Sequence, residues 1–171
     1  MNGAYVIIGL VALQRLIEVI YAERNTKALF ARGAVEIGRA HYPLIVALHA
    51  AWLVAILVFL PHPTPIYWGA LAVFVVLQGL RVWVLMTLGP YWTTRIITLA
   101  GAPLVRKGPY RFIRHPNYAV VACEIAVLPL VFGELGVAIV FSLANAIILF
   151  WRIRQEDAAL QTRRSSTAPQ A

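Results

Sequence analysis

A short polar strip interrupts a chain that is otherwise strongly apolar. Residues 108–118 read GPYRFIRHPNY and hold two arginines, a histidine, two prolines and two tyrosines. Proline fixes φ, lacks an N–H and pushes the preceding residue towards extended conformations, so Gly108-Pro109 and His115-Pro116 predict a structured loop over 101–117. Asn117-Tyr118 then begins a helix. The strip is therefore expected to be an ordered surface loop.

This loop has two interpretations. The first helical turn presents unpaired N–H groups, and with Arg114 and His115 beside it the helix start would suit a carboxylate or a phosphate. Alternatively, the strip is a basic turn that touches lipid headgroups, with Tyr110 and Tyr118 in an interfacial aromatic belt.

A second set of candidate residues lies inside apolar segments, where ionisable groups are costly and often functional. Its members are Arg15, Glu18, His49, Gln78, Arg81, Glu124 and Asn145. At about 1.5 Å per helical residue they lie roughly 6 to 14 Å from one common side of the membrane. Together they favour a polar chamber open to the cytoplasm. The alternative is that Arg15 pairs with Glu18 and Arg81 with Glu124, and that the arginines snorkel towards the interface.

The elements that position these residues must be membrane helices. The 171 residues are 61% hydrophobic and only 13% charged, which is too few charges to cover a soluble globule. Long apolar runs without period-2 alternation predict an all-α integral membrane protein of about five helices. The segments are 4–21, 43–60, 66–88, 118–132 and 136–151. The last two are expected to form a hairpin that turns at 132–136, with the final helix running on through Arg152 and Arg154.

Positive charge predicts the orientation. Thirteen of the 15 basic residues fall in loops 22–42 and 89–117 and in the C-terminal stretch from residue 152 onwards. The positive-inside rule then places the N-terminus outside and the C-terminus in the cytoplasm. Orientation and anionic lipid account for the net charge of +8, so no nucleic-acid partner is expected. Residues 1–160 are interpreted as one transmembrane domain and 161–171 as a disordered cytoplasmic tail.

The stretch LVRKGPYRFIRHPNY, together with RIRQEDAAL near the C-terminus, resembles the signature of the isoprenylcysteine carboxyl methyltransferase family of integral membrane enzymes. The resemblance covers about residues 88–160. It implies S-adenosylmethionine as methyl donor and S-adenosylhomocysteine as product. The positions that it places around the cofactor are Leu104, Val105, Gly108, Tyr110, His115, Pro116, Tyr118 and Asp157.

The same resemblance implies that Arg114 and Glu156 hold the reacting group. Two positions depart from the family pattern. Val120 stands where a glycine is common, which bears on how closely the helix approaches the cofactor, and Asp157 replaces the second of two glutamates. Taken alone, Glu156 and Asp157 also fit simple surface pairs with Arg152 and Arg154.

The chain is further similar to a small bacterial branch of the family found beside long-chain polyketide synthesis. That similarity implies a lipophilic acceptor, with the hydroxyl of an alkylpyrone or alkylresorcinol favoured, and an active site on the cytoplasmic side of a bacterial inner membrane. Candidate acceptor-binding residues are Arg81, Trp92, Thr94 and Glu124. A phenolic acceptor would need a base, for which Glu156, Glu124 and His115 are candidates in that order, whereas an acidic enol would need none.

Three other functions stay open. They are methylation of a prenylcysteine carboxylate, methylation of a phospholipid amine, and non-catalytic binding of a lipid or polyprenyl chain. No metal site is expected, because Cys123 is the only cysteine and the four histidines are far apart in sequence.

Overall fold

The computed structural model describes residues 3–39, 42–102 and 105–166, with side chains as far as residue 158. The elements are α1 (Gly3–Phe30), β1 (Val35–Ile37), α2 (Tyr42–Phe59), α3 (Trp68–Leu88), β2 (Ile96–Thr98), α4 (Pro116–Val131) and α5 (Leu135–Ser166). Short 3₁₀ turns occupy Gly89–Tyr91 and Gly108–Arg111. Within the described residues, α1, α2, α3 and α5 are long and apolar enough to cross a bilayer, and α4 is a shorter apolar helix. The expected all-helical membrane architecture is confirmed.

Two helices extend beyond their apolar segments. After Tyr21, α1 continues for more than two turns, and Ala22, Asn25, Thr26 and Leu29 are buried along it at helical spacing. The prediction of a loop from residue 22 was therefore wrong, because the end of an apolar run marks the membrane surface and not the end of the helix. The last helix, α5, likewise continues to Ser166, and residues 167–171 of the predicted tail lie outside the described residues.

The two strands form a small antiparallel sheet that the sequence analysis did not predict. Val35 pairs with Thr98, Glu36 with Ile97 and Ile37 with Ile96. Strands of three residues are too short to show an alternating pattern, and the partners are about 60 residues apart in the sequence. The sheet ties the α1–α2 connection to the segment that follows α3.

The apolar core lies in the half of the bundle away from the sheet. Trp52, Ile56, Ile125, Leu128 and Phe132 are fully or almost fully buried there. The indole Nε1 of Trp52 donates a hydrogen bond to the Ile125 carbonyl at 3.2 Å, which joins α2 to α4. The short helix α4 also packs against α3 and α5, so it is the most enclosed helix of the bundle.

A closed network of charges occupies the other half of the bundle. The Arg81 guanidinium on α3 donates to both carboxylate oxygens of Glu18 on α1 at 2.5 Å and to Glu124 on α4 at 2.9 Å. Arg15 bridges the same two acids at 3.0 and 2.9 Å. Gln78 also donates to Glu124, at 2.8 Å. The four charges neutralise one another, as the alternative of paired charges predicted. The pairing is not one to one, because each arginine contacts both glutamates.

The α4–α5 hairpin turns where it was predicted. The chain leaves α4 at Val131, and α5 begins at Leu135. The Tyr67 N–H donates to the Val131 carbonyl at 2.9 Å, which attaches the turn to the start of α3. Glu134 lies in this turn with 7% of its surface exposed, and neither of its carboxylate oxygens has a hydrogen-bond partner within the described residues. This burial raises the pKa of Glu134 to about 7.

Replacing Arg81 by Met is expected to destabilise the protein strongly. Glu18 and Glu124 would then share Arg15 alone, and leaving a buried charge without its partner costs about 3–5 kcal/mol. The matched control is Arg39→Met, since the Arg39 side chain is 85% exposed and its nitrogen lies 3.8 Å from Glu36. Thermal unfolding in detergent measures both. If Arg81→Met and Arg39→Met lower the melting temperature equally, the charge network does not stabilise the bundle.

The turn predicts a pH dependence of stability. A carboxyl group whose pKa is about 7 in the folded chain and 4.5 in the unfolded chain binds more protons when folded between these values. This group therefore destabilises the fold progressively as pH rises from about 4.5 to about 7. Glu134→Gln should remove that component, so the variant should gain melting temperature relative to wild type at pH 8 more than at pH 5. Melting temperatures of wild type and Glu134→Gln are compared at both pH values, with Glu23→Gln, at a half-exposed position, as the control. The same difference in melting temperature between Glu134→Gln and wild type at pH 5 and pH 8 would refute the assignment.

Candidate functional site

A cavity of about 580 Å³ opens at the end of the bundle that carries the sheet. Three stretches surround it: the end of α3 through β2, the loop that leads into α4, and the last described side chains of α5. The acidic lining residues are Glu156 and Asp157. The basic lining residues are Arg95, Arg106, Arg111, Arg114, His115 and Arg152. The cavity therefore carries both signs of charge, with arginine in excess.

Tyr118 is the centre of a hydrogen-bond chain in this cavity. Its hydroxyl donates to a carboxylate oxygen of Glu156, and it accepts a hydrogen bond at 2.8 Å from Nε of Arg152. A second Arg152 nitrogen donates to the Thr94 carbonyl at 2.6 Å. One guanidinium therefore joins α5 to the first turn of α4 and to the segment between α3 and β2.

His115 caps the start of α4 beside this chain. Its carbonyl accepts from the N–H groups of Tyr118 and Ala119 at 3.1 and 3.3 Å. Its ring stacks on that of Tyr118, with centroids 5.4 Å apart, and Nε2 lies 3.2 Å from an Asp157 carboxylate oxygen. Proline at the first helical position fits this start, because its missing N–H would have no helical partner. Side chains of the motif loop (residues 104–118) therefore contact the acidic pair Glu156 and Asp157 directly: Tyr118 contacts Glu156, and His115 contacts Asp157.

Three arginines of the loop are not neutralised. Arg106, Arg111 and Arg114 have no carboxylate partner within the described part of the chain, although Arg111 lies over the Phe112 ring at 5.0 Å. By contrast, Arg95 pairs with Glu23 and Glu36 at 3.4 Å. The unpaired guanidinium groups favour an anion at this side of the cavity.

Tyr110 is a neutral hydrogen-bonding group of the lining. Burial, reinforced by the nearby Glu156 carboxylate, raises the pKa of Tyr110 above its ordinary value. Its hydroxyl therefore stays protonated at neutral pH.

The N-terminal half of the chain holds the opposite wall of the cavity. Asn25 of α1 donates to the carbonyls of Gly89 and Trp92 at 3.2 and 2.8 Å. Tyr21 stacks on Trp92 with ring centroids 5.9 Å apart. Arg95 lies over the Tyr42 ring of α2 at 4.8 Å. The segment after α3 is thus fixed by residues of α1 and α2.

Some polar atoms of the lining have no partner. The Asn117 amide oxygen and the Trp92 indole nitrogen are buried without a hydrogen bond within the described residues, and both residues line the cavity. Buried polar atoms are nearly always paired, so these two atoms are exceptions within the wall of the cavity.

The residues predicted for the site divide into four groups. The residues that line the cavity are Trp92, Val105, Tyr110, Arg114, His115, Tyr118, Glu156 and Asp157. Gly108, Pro116 and Thr94 lie beside it without lining it, and the Thr94 hydroxyl faces the Tyr42 hydroxyl at 3.3 Å. Leu104 lies outside the described residues. Neither Arg81 nor Glu124, both assigned to the acceptor, lines this cavity, because both are enclosed in the charge network.

Sequence reasoning missed Arg152 and Asn25. Arg152 was considered only as a surface partner of Glu156, four residues later on the same helix. It is instead 7% exposed and contacts Tyr118, which stands between it and Glu156. Asn25 lay in a predicted loop. The available signal was the helical spacing of the uncharged residues Ala22, Asn25, Thr26 and Leu29 between charged ones.

The loop conformation predicts that Gly108 cannot be replaced. Gly108 has φ of +55°, and a Cβ there would lie 2.5 Å from the Thr87 hydroxyl, which is held by its own hydrogen bond to the Trp83 carbonyl at 2.7 Å. Gly108→Ala should therefore lower the free energy of unfolding by more than the roughly 1–2 kcal/mol that the left-handed backbone conformation alone costs an alanine. Gly101→Ala is the control, since Gly101 has φ of +72° and open space around it. Thermal melts of both variants should differ, and equal melting temperatures would contradict the close contact.

Comparison with known proteins agrees with this geometry. The family model described as "Isoprenylcysteine carboxyl methyltransferase (ICMT) family" matches residues 70–162. A Bacillus subtilis (strain 168) protein, described as uncharacterized protein YpbQ, is 39% identical over 161 residues, which is 92% of this chain and 96% of the relative. An uncharacterized protein of Haemophilus influenzae is 27% identical over 142 residues, or 80% of this chain and 83% of that one. No solved structure matches the chain significantly.

The matched region begins in α3 and contains the loop, the α4–α5 hairpin and the acidic end of α5, which are the parts that meet at the cavity. From its sequence and from the site that this sequence builds, the chain belongs to the isoprenylcysteine carboxyl methyltransferase family of membrane methyltransferases.

Proposed function

We propose that this protein transfers a methyl group from S-adenosylmethionine to an oxygen of a long-chain lipophilic acceptor, with the hydroxyl of an alkylpyrone or alkylresorcinol favoured. The observation that carries the proposal is the cavity in which the motif loop meets Glu156 and Asp157 at the end of α5. The family supports the reaction class.

The lining fits the methyl donor chemically. S-adenosylmethionine carries a sulfonium, an ammonium and a carboxylate, so its site needs acids and bases together. Asp157 would receive the ammonium and Arg106 or Arg111 the carboxylate, while Arg114 and Glu156 would hold the reacting oxygen.

The bound donor would supply an electrophilic methyl carbon. The protein's main contribution would be orientation, since in-line displacement needs an oxygen held on the axis of the breaking bond. Glu156 is fixed by the Tyr118 hydroxyl, and its side chain is still 30% exposed. It therefore remains the first candidate to accept a proton from a phenolic acceptor. Glu124 leaves the list of bases because it lies in the closed network.

The charge of the lining bears on the acceptor. Five arginines against two acids disfavour a cationic amine acceptor and favour an oxygen that is anionic when it reacts. An alkylpyrone enol meets this requirement without a base, and a prenylcysteine carboxylate also does. The apolar residues of the lining suit the attached chain: Leu29, Leu88, Ile96, Ile97 and Leu99.

The positive-inside rule supports a cytoplasmic cavity. The basic loops and the end of α5 lie on the cavity's side of the bundle, where a water-soluble donor would enter from the cytoplasm. We therefore place the N-terminus outside and the C-terminus in the cytoplasm of a bacterial inner membrane.

The decisive experiment measures cofactor binding and acceptor choice. Purified protein in detergent should bind S-adenosylhomocysteine in calorimetry, and His115→Ala should weaken binding because it removes the ring beside Asp157. Exposed His62→Ala is the matched control. Labelled donor would then be offered with alkylpyrone, alkylresorcinol, prenylcysteine and phosphatidylethanolamine. Lack of binding by folded protein would instead support a non-catalytic lipid-binding protein, and labelling of prenylcysteine or the phospholipid alone would overturn the acceptor assignment.

Glu156→Gln is the companion variant. It should lower turnover of a phenolic acceptor by about 100-fold or more, as expected when a general base is removed, and leave the melting temperature near wild type. The same substitution at Glu134, at the opposite end of α5, is the control for turnover. Full activity of Glu156→Gln would remove Glu156 from the reaction.

A further inference from the structure

We infer that Arg152 is a positioning residue that fixes the hydroxyl of Tyr118 and, through it, the carboxylate of Glu156 against the cavity. The inference rests on the proposed function and adds a residue to it. Its basis is the pair of hydrogen bonds that one buried guanidinium makes to Tyr118 and to the Thr94 carbonyl.

The geometry spans three parts of the chain. Arg152 belongs to α5, Tyr118 to the first turn of α4, and Thr94 to the segment between α3 and β2. The guanidinium carbon also lies 5.5 Å from the centroid of the Tyr118 ring. Because the guanidinium is planar and its donors are rigidly arranged, it can hold both oxygens in a fixed relative position.

The hydrogen-bond directions give the guanidinium a specific role. A phenol has one proton to donate and can also accept. The N–H of Arg152 can only donate, so it occupies an acceptor position of the Tyr118 oxygen. The single phenolic proton is then directed to Glu156, where it orients the carboxylate. Without Arg152, the same hydroxyl is free to turn its proton towards another acceptor.

The charges support positioning rather than simple pairing. Arg152 has no carboxylate within ion-pair distance among the described side chains, although Glu156 follows it by one helical turn. Tyr118 stands between the two charges and contacts both. A guanidinium that is buried without a direct counter-ion is costly, so its placement on a neutral hydroxyl requires a reason beyond stability. Orientation of the Tyr118–Glu156 pair is that reason.

The test is a double-mutant cycle between Arg152 and Tyr118. Arg152→Gln should lower kcat by about 10- to 100-fold, as a small misplacement at a reacting centre does, while the dissociation constant of S-adenosylhomocysteine changes by less than about threefold. In a Tyr118→Phe background the same substitution should add less than about threefold, because the hydroxyl through which it acts is absent. Arg152→Lys, which keeps a cationic donor but not the fork, should lie between wild type and Arg152→Gln.

Arg154→Gln is the matched control. Arg154 lies two residues away on α5, is exposed and stacks over Phe150 at 4.3 Å, so its loss removes the same charge without touching the site. Near-normal kcat in this variant together with non-additive losses in the cycle supports the inference. The inference is overturned if the kcat losses of Arg152→Gln and Tyr118→Phe multiply in the double variant. It is also overturned if Arg152→Gln lowers the melting temperature enough to account for its loss of kcat.

The outcomes separate this inference from the proposed function. Failure of wild-type protein to bind S-adenosylhomocysteine or to methylate any acceptor refutes the proposed function and this inference with it. An active wild type whose kcat is unaffected by Arg152→Gln refutes the positioning role alone.

Discussion

The structure depends on the pairing of two arginines with two glutamates inside the bundle. Charges in a bilayer are tolerated when they meet opposite charges away from lipid, and this requirement fixes how the helices that carry them are placed. Glu124 on α4 contacts an arginine from α1 and another from α3, so all three helices present their charges at one depth. The network therefore sets the relative height of three helices, and with it the height at which the α3 segment and the start of α4 emerge at the cavity.

The hairpin of α4 and α5 brings the two parts of the family signature together. Because α5 returns antiparallel to α4, its far end passes the start of α4, and this places Arg152, Glu156 and Asp157 beside His115 and Tyr118. A long α5 is required for this, since Arg152, Glu156 and Asp157 lie beyond the apolar part of the helix. The side chains then act as one hydrogen-bonded unit that joins acid, phenol and guanidinium.

The first 69 residues lie outside the matched family region, yet they form part of the support of the cavity. Asn25 holds the turn after α3, Glu23 and Glu36 bind Arg95, and β1 pairs with β2. These contacts fix the wall opposite the acidic pair. Variation in these 69 residues would therefore alter the shape of that wall without changing the motif loop or the acidic pair.

The sequence by itself determined the class of protein, the five apolar segments that form the helices, the hairpin turn and the loop that carries the motif, because apolar length and proline act locally. It also supplied eight of the residues that line the cavity, all but Trp92 through the family motif. Tertiary structure alone decided which charges pair, since Arg15, Arg81, Glu18 and Glu124 allow several pairings in sequence and only helix packing selects among them. The same holds for the paired strands, which are too short to leave a pattern, and for Arg152, whose spacing from Glu156 predicts a direct pair where Tyr118 intervenes.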